Sequence, residues 1–172
     1  IGIYSILMAK DHSNLTIYAF EPHKDAFRRL QENVNLNKFN NRIYLYNYAL
    51  SNKNGDSFLE AKNRFGLSQS GGAKISDKGN IKIKYQTGDD LIKIKNEHIA
   101  IKIDTEGHEL FVLNGIKNLL ADNKVFLQIE IFPQNTNDVT KFLNNLGFQL
   151  LTKSQFTHQK NILDYFFEKN FS

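Results

Sequence analysis

The chain has 172 residues, 41% hydrophobic and 23% charged, which is enough apolar material for the core of one soluble domain. Its 22 basic and 18 acidic side chains leave a net charge of +4, with Lys and Arg scattered rather than run together, so nucleic acid is not expected as a partner. The absence of cysteine excludes disulfides and thiolate metal sites and suits a reducing cytoplasm, and no apolar run approaches the ~18 residues of a membrane helix.

The sequence opens at Ile1 inside the apolar, helix-like "IGIYSILMAK", without the basic leader of a signal peptide, and we expect an upstream part to precede it. Residues 16–22, "TIYAFEP", are β-branched and aromatic and read as a strand. Pro22 suits the first turn of a helix, and Phe27, Leu30 and Val34 then recur at helical spacing over residues 23–37. The Asn-rich residues 37–41 end that helix, and residues 42–50, "RIYLYNYAL", read as a second strand. A strand–helix–strand order requires a crossover and hence a parallel pair.

Residues 51–80 hold five of the ten glycines and read as loops with a hairpin strand near "DSFLEAK", either a lid over a site or a plain surface insertion. "IKIKYQ" (81–86) alternates apolar and basic residues, as a strand with one wet face does. "TGDDLIKI" reads as a turn and a short helix, "HIAIKID" as a strand, and Leu110, Leu113, Ile116 and Leu120 mark one helix after it. "KVFLQIEIF" (124–132) is a further strand. Thr136 is the expected cap of a helix bearing Val139, Phe142, Leu143 and Leu146, which Gly147 stops. "FQLLTK" and "ILDYFFEKN", joined by a short polar stretch, read as an antiparallel pair at one edge. The order describes a single α/β domain over residues 1–172, built on a doubly wound, mostly parallel sheet with an antiparallel C-terminal strand.

Ligands of such sheets bind beyond the carboxyl ends of the strands. Three of these ends carry acids, namely Glu21, Asp104 and Glu130. Glu21 can take both hydroxyls of a ribose, or it can be a surface acid favoured by the positive end of the helix behind Pro22. Asp104 and Glu130 have three readings. With Glu106 they could hold a divalent metal, they could act as base and partner toward a substrate hydroxyl, or they could cap the helix that "DTEGHE" opens. The cap reading suits Glu106 and Glu109 best. Lys102, in the middle of its strand, must either snorkel to a partner or lie on a less buried strand. "GHELFV" lacks the second histidine of the zinc motif HExxH, since Val112 stands there, and His108 reads as a polar residue near a helix start. "GLSQSGG" (66–72) lacks the Gly-Lys-Ser/Thr ending of a phosphate loop.

Four stretches taken together, "IGIYS", "YAFEPHKDAFRRLQENVNLN", "NYALSNKNGD" and "IKIDTEGHELFVLNG", resemble the FkbM-type methyltransferases, S-adenosylmethionine-dependent enzymes of class I. The resemblance implies a seven-stranded Rossmann-like sheet whose first strand lies upstream of this chain. It implies cofactor contacts from Gly2, at the tail of a Gly-rich turn, from Glu21 at the ribose, from Ala49 and Ser51 near the adenine, and from Asp104 beside the reactive methyl. Glu106 and Glu130 would stand beside the acceptor, a hydroxyl of a sugar, glycan or natural product. The competing expectations are a nicotinamide-dependent oxidoreductase, a basic nucleic-acid-binding module and an inactive truncated fragment.

Overall fold

A computed structural model of the chain describes residues 1–60, 63–64, 67–68, 73–76, 78–155 and 162–170. The elements in order are α1 (Ile3–Asp11), β1 (Ile17–Phe20), α2 (Lys24–Leu36), β2 (Ile43–Tyr46), β3 (Ala49–Leu50), β4 (Gly55–Glu60), β5 (Asn63–Arg64), β6 (Leu67–Ser68), β7 (Lys74–Ile75), β8 (Ile81–Gln86) and α3 (Gly88–Leu91). They continue with β9 (His98–Ile103), α4 (Glu109–Gly115), α5 (Lys117–Asp122), β10 (Lys124–Ile131), a 3-10 turn (Pro133–Asn135), α6 (Thr136–Asn145), β11 (Gln149–Ser154) and β12 (Leu163–Lys169). The chain divides into two compact units, one of Ile1–Ala49 with Gly55–Tyr85 and one of Leu50–Asn54 with Gln86–Ser172.

In the first unit β1 and β2 pair in parallel, as expected. Alternation sends Ile43 into a core with Ala9, Leu30 and Val34 from α1 and α2, and turns Tyr18, Phe20, Tyr44 and Tyr46 to the other face. There Tyr18 stacks on Tyr44 with ring centroids 5.6 Å apart, and Phe20 on Tyr46 at 5.0 Å. Arg42 donates to the last carbonyls of α1, at 2.6 Å to Ala9 O and 2.8 Å to His12 O, which satisfies the helix end and favours its dipole.

Residues 42–50 are two strands rather than one. Asn47 turns its side-chain amide onto the carbonyls of Glu21 and Pro22, at 2.8 and 3.2 Å, which ends β2 and releases the chain toward β3. A second sheet runs in the order β3-β8-β4-β7, with β4 antiparallel to both neighbours and Leu59 and Ile83 buried beside Ala49. Lys82 and Lys84 lie on the exposed face of β8, as its alternation predicts. The "GLSQSGG" stretch and His158 fall wholly or largely outside the described residues.

In the second unit the sheet order is β11-β12-β10-β9. Here β9 and β10 are parallel while β12 runs antiparallel to both β10 and β11, so the expected C-terminal antiparallel pair is present and the sheet is mixed. Val125, Leu127, Ile129 and Ile131 of β10 point into the main core, where Val112, Leu113, Leu119, Leu120, Val139 and Leu143 of α4, α5 and α6 meet them. Burying each such side chain contributes about 1.5–3 kcal/mol.

The single helix expected after residue 109 is broken at Ile116 (φ −120°, ψ 22°). Gly115 explains the site of the break, because a Cβ there would stand 1.9 Å from the Ser51 carbonyl oxygen. Asp89 then supplies the start of α5, its two carboxylate oxygens each accepting at 2.9 Å from the Asn118 and Leu119 amides. Thr136 is not the cap of α6. Asn135 occupies that position, while Thr136 is already helical and its hydroxyl donates back to Phe132 O. Gly147, at φ +82°, closes α6 as expected.

Candidate functional site

The parallel register of β9 and β10 ends with Ile103 opposite Ile129. Both isoleucines are buried in the core, so the next residues, Asp104 and Glu130, turn to the opposite face side by side. On the other flank of β10 the antiparallel register sets Asp164 of β12 opposite Glu130. Glu130 and Asp164 on two strands, and Asp104 just past the end of a third, thus come together. The row before them holds Lys102, Gln128 and Phe166. Gln128 donates to Asp164 Oδ1 at 2.8 Å, and Lys102 Nζ lies 3.1 Å from Asp104 Oδ2. The mid-strand lysine has therefore snorkelled to a partner, the first of the two alternatives that its position raised.

This crowding has an electrostatic consequence. Burial, followed by the charges of Asp104, Glu106 and Asp164, pushes the Glu130 carboxyl up from 4.5 to about 7, against an opposing pull from Lys102. Asp104, Glu106 and Glu130, chosen from strand ends and composition, are brought together. Asp164 was missed, although an acid inside the apolar run "ILDYFF" was a signal that the strand carries something other than core. Among the described residues no three His, Asp or Glu side chains are gathered to hold a metal ion.

The loop after β9 does not open a helix at Asp104, because α4 begins only at Glu109. Glu106 (φ +53°) and Gly107 (φ +101°) take consecutive left-handed conformations, so Glu106 belongs to the turn and caps no first turn. Glu109, the acid in the first turn of α4, is fully buried and turns its carboxylate back onto the preceding loop rather than onto the helix amides. Its Oε1 accepts from the Gly107 amide at 2.7 Å and from the Thr105 hydroxyl at 3.3 Å. Its Oε2 accepts from Asn135 Nδ2 at 3.1 Å, and the same amide group donates to Gly107 O at 3.2 Å. His108 stands at the start of α4 without capping it. Its Nε2 lies 3.0 Å from Ser51 Oγ, and its ring stacks on the exposed Phe111 at 4.5 Å. Burial lowers its pKa, favouring the neutral imidazole. Ser51, expected near an adenine, is buried here and joined to the acidic loop through His108.

The remaining expected residues lie in the first unit. Glu21 directly follows β1, its amide donating to Tyr46 O at 3.1 Å, and its Oε1 accepts from the His23 amide at 2.8 Å. Burial raises its pKa, and the His23 amide and ring partly offset the shift. Pro22 lies outside α2, which His23 caps through Nδ1 to the Ala26 amide. Gly2 starts α1 at φ +78°, the left-handed region that favours glycine, with Leu30 Cδ1 packed close to where a Cβ would stand. The Ala49 methyl belongs to the core beside Leu59 and Ile83.

Comparison with known proteins adds ancestry to this geometry. The chain is 34% identical over 131 residues to the hexuronic acid methyltransferase AglP of Haloferax volcanii, an alignment covering 74% of this chain and 52% of that protein. The chain thus spans about half the length of the curated relative it matches. Its fold is shared with the methyltransferase FkbM of Methylobacillus flagellatus, with a TM-score of 0.63 at 18% identity over 88% of this chain and 36% of the other. A Clostridium thermocellum protein solved as a candidate rRNA methylase gives a TM-score of 0.50 at 11% identity over 91% of this chain and 74% of its own. These neighbours carry the Rossmann-like class I architecture expected from the sequence. The profile of the methyltransferase FkbM domain matches residues 4–150, across both compact units, and the chain belongs to that family.

Proposed function

We propose that this chain is the methyl-transferring domain of an S-adenosylmethionine-dependent O-methyltransferase, acting on a hydroxyl of a sugar, glycan or related natural product. The observation that carries the reading is Glu130, a carboxyl held near neutrality among Asp104, Glu106 and Asp164 at adjoining strand ends. An aliphatic hydroxyl is a poor nucleophile, and a carboxylate that accepts its proton at neutral pH contributes about 10²–10⁴-fold. Glu130 is assigned that task, with Glu106 also beside the acceptor and Asp104 toward the reactive methyl. The named activity of the Haloferax relative, directed at a hexuronic acid, supports a sugar as the acceptor class.

The residues present fit the cofactor by their chemistry. Glu21 offers a half-buried carboxylate, oriented by the His23 amide, for a ribose diol. Gly2 supplies the side-chain-free turn that lets backbone approach a ligand, and Ala49 and Ser51 are assigned to the adenine end. When bound, S-adenosylmethionine supplies a methyl group on a cationic sulfonium. One methyltransferase domain over both units, working in the cytoplasm, completes the reading. No helix among the described residues is long and apolar enough to cross a membrane.

The test is to incubate the full-length protein with S-adenosylmethionine and a panel of hexoses, hexuronic acids and oligosaccharides, following methylated product by mass spectrometry. The expected result is transfer to at least one hydroxyl-bearing sugar, lost in Glu130→Gln at pH 7. No transfer, together with a preference for nicotinamide dinucleotide in a thermal-shift assay, would reject it in favour of an oxidoreductase.

A further inference from the structure

We propose that Glu109 and Asn135 are positioning residues, a clamp built on a buried carboxylate that holds the 104–108 loop and so sets the direction of Asp104 and Glu106 against Glu130. The proposal rests on the methyltransferase reading above for its catalytic purpose, although the clamp is a feature of the geometry alone.

A helix start needs only an acid near its first turn, and a surface carboxylate serves that need. Glu109 is instead completely buried, an unfavourable place for a carboxylate unless donors surround it. Its donors are specific. Thr105 and Gly107, from the loop itself, take one oxygen, and Asn135 takes the other. Asn135 ends the turn that follows β10, the strand that carries Glu130, and its amide reaches both the Glu109 carboxylate and the Gly107 carbonyl. The loop after one catalytic strand is thereby tied to the segment after its neighbour, with Gly107 held at both its N–H and its C=O. The consecutive left-handed residues Glu106 and Gly107 explain why a clamp is needed, since Glu106 leaves that conformation unless its surroundings hold it.

The experiment uses the full-length protein carrying Glu109→Gln or Asn135→Ala, with Glu109→Ala as the harsher third variant. Glu109→Gln keeps the volume and one acceptor but sets two amide NH₂ groups against each other, so it carries the test if Glu109→Ala does not fold. Three quantities are read under conditions where circular dichroism shows native structure, namely Gly107 amide exchange by NMR, affinity for S-adenosylhomocysteine, and kcat and KM for the acceptor. The clamp predicts faster Gly107 exchange and a kcat lowered by about 10- to 100-fold, with cofactor affinity within about threefold of wild type. Unchanged Gly107 exchange in both variants overturns the clamp. Faster exchange with an unchanged kcat overturns the positioning role and leaves a purely structural contact. A wild-type protein that transfers no methyl group overturns the functional reading and the clamp's catalytic purpose, while the clamp itself is still decided by Gly107 exchange.

Discussion

Glu130 is the carboxyl to which the proposed reaction assigns the acceptor's proton. Its pKa near 7 in the folded state lies above the ordinary 4.5, so the folded protein holds this proton longer than the unfolded chain does. The associated stability is fully present below about pH 4.5 and is lost as the pH rises through about 7. Glu130→Gln should therefore raise the melting temperature at pH 8 relative to wild type and leave it nearly unchanged at pH 5, as checked by calorimetric scans. The same group predicts the acid limb of the pH–rate profile. Wild-type kcat/KM should climb through about pH 7, and Asp164→Asn, which removes one neighbouring charge, should shift that limb to lower pH. Asp104 and Glu130 were legible because a strand end can be read from hydrophobic pattern. Asp164 was not, because its place beside Glu130 depends on an antiparallel register that only the folded sheet reveals.

Strand β10 and helix α5 show where element-level reading succeeds and where it stops. "KVFLQIEIF" was legible as a strand, and Leu127→Ala on its buried face should cost about 2–5 kcal/mol in urea unfolding through the cavity it leaves. The equivalent change at the exposed Leu150 should stay within about 0.5 kcal/mol. The break between α4 and α5 was not legible, because the apolar spacing of Leu110, Leu113, Ile116 and Leu120 continues through it. The cause is tertiary. The Ser51 backbone crosses at Gly115, and Asp89, almost thirty residues upstream of the amides it accepts from, supplies the new helix start. Asp89→Ala should destabilise the protein by about 0.5–2 kcal/mol, the range for a lost helix cap, in the same unfolding assay. Glu109 was read as a helix-start acid, which it is, but its full burial and its bond to Asn135 depend on a contact across 26 residues that no local pattern encodes.

At the scale of the molecule, each compact unit carries its own part of the proposed chemistry. The first holds Glu21 at a strand end, and the second holds the acids around Glu130. The family profile runs across both, from residue 4 to residue 150. The α/β class was legible from the alternation of strand and helix patterns, whereas the division of residues 42–50 between two sheets was not, since it turns on the Asn47 side chain. The most direct test of the central claim is titration calorimetry of the full-length protein with S-adenosylhomocysteine, wild type beside Glu21→Ala. The account predicts binding to wild type and a loss of about 10- to 100-fold in the variant, the worth of charge-assisted hydrogen bonds to a ribose. Equal affinity in the two proteins, or no binding to either, would contradict it.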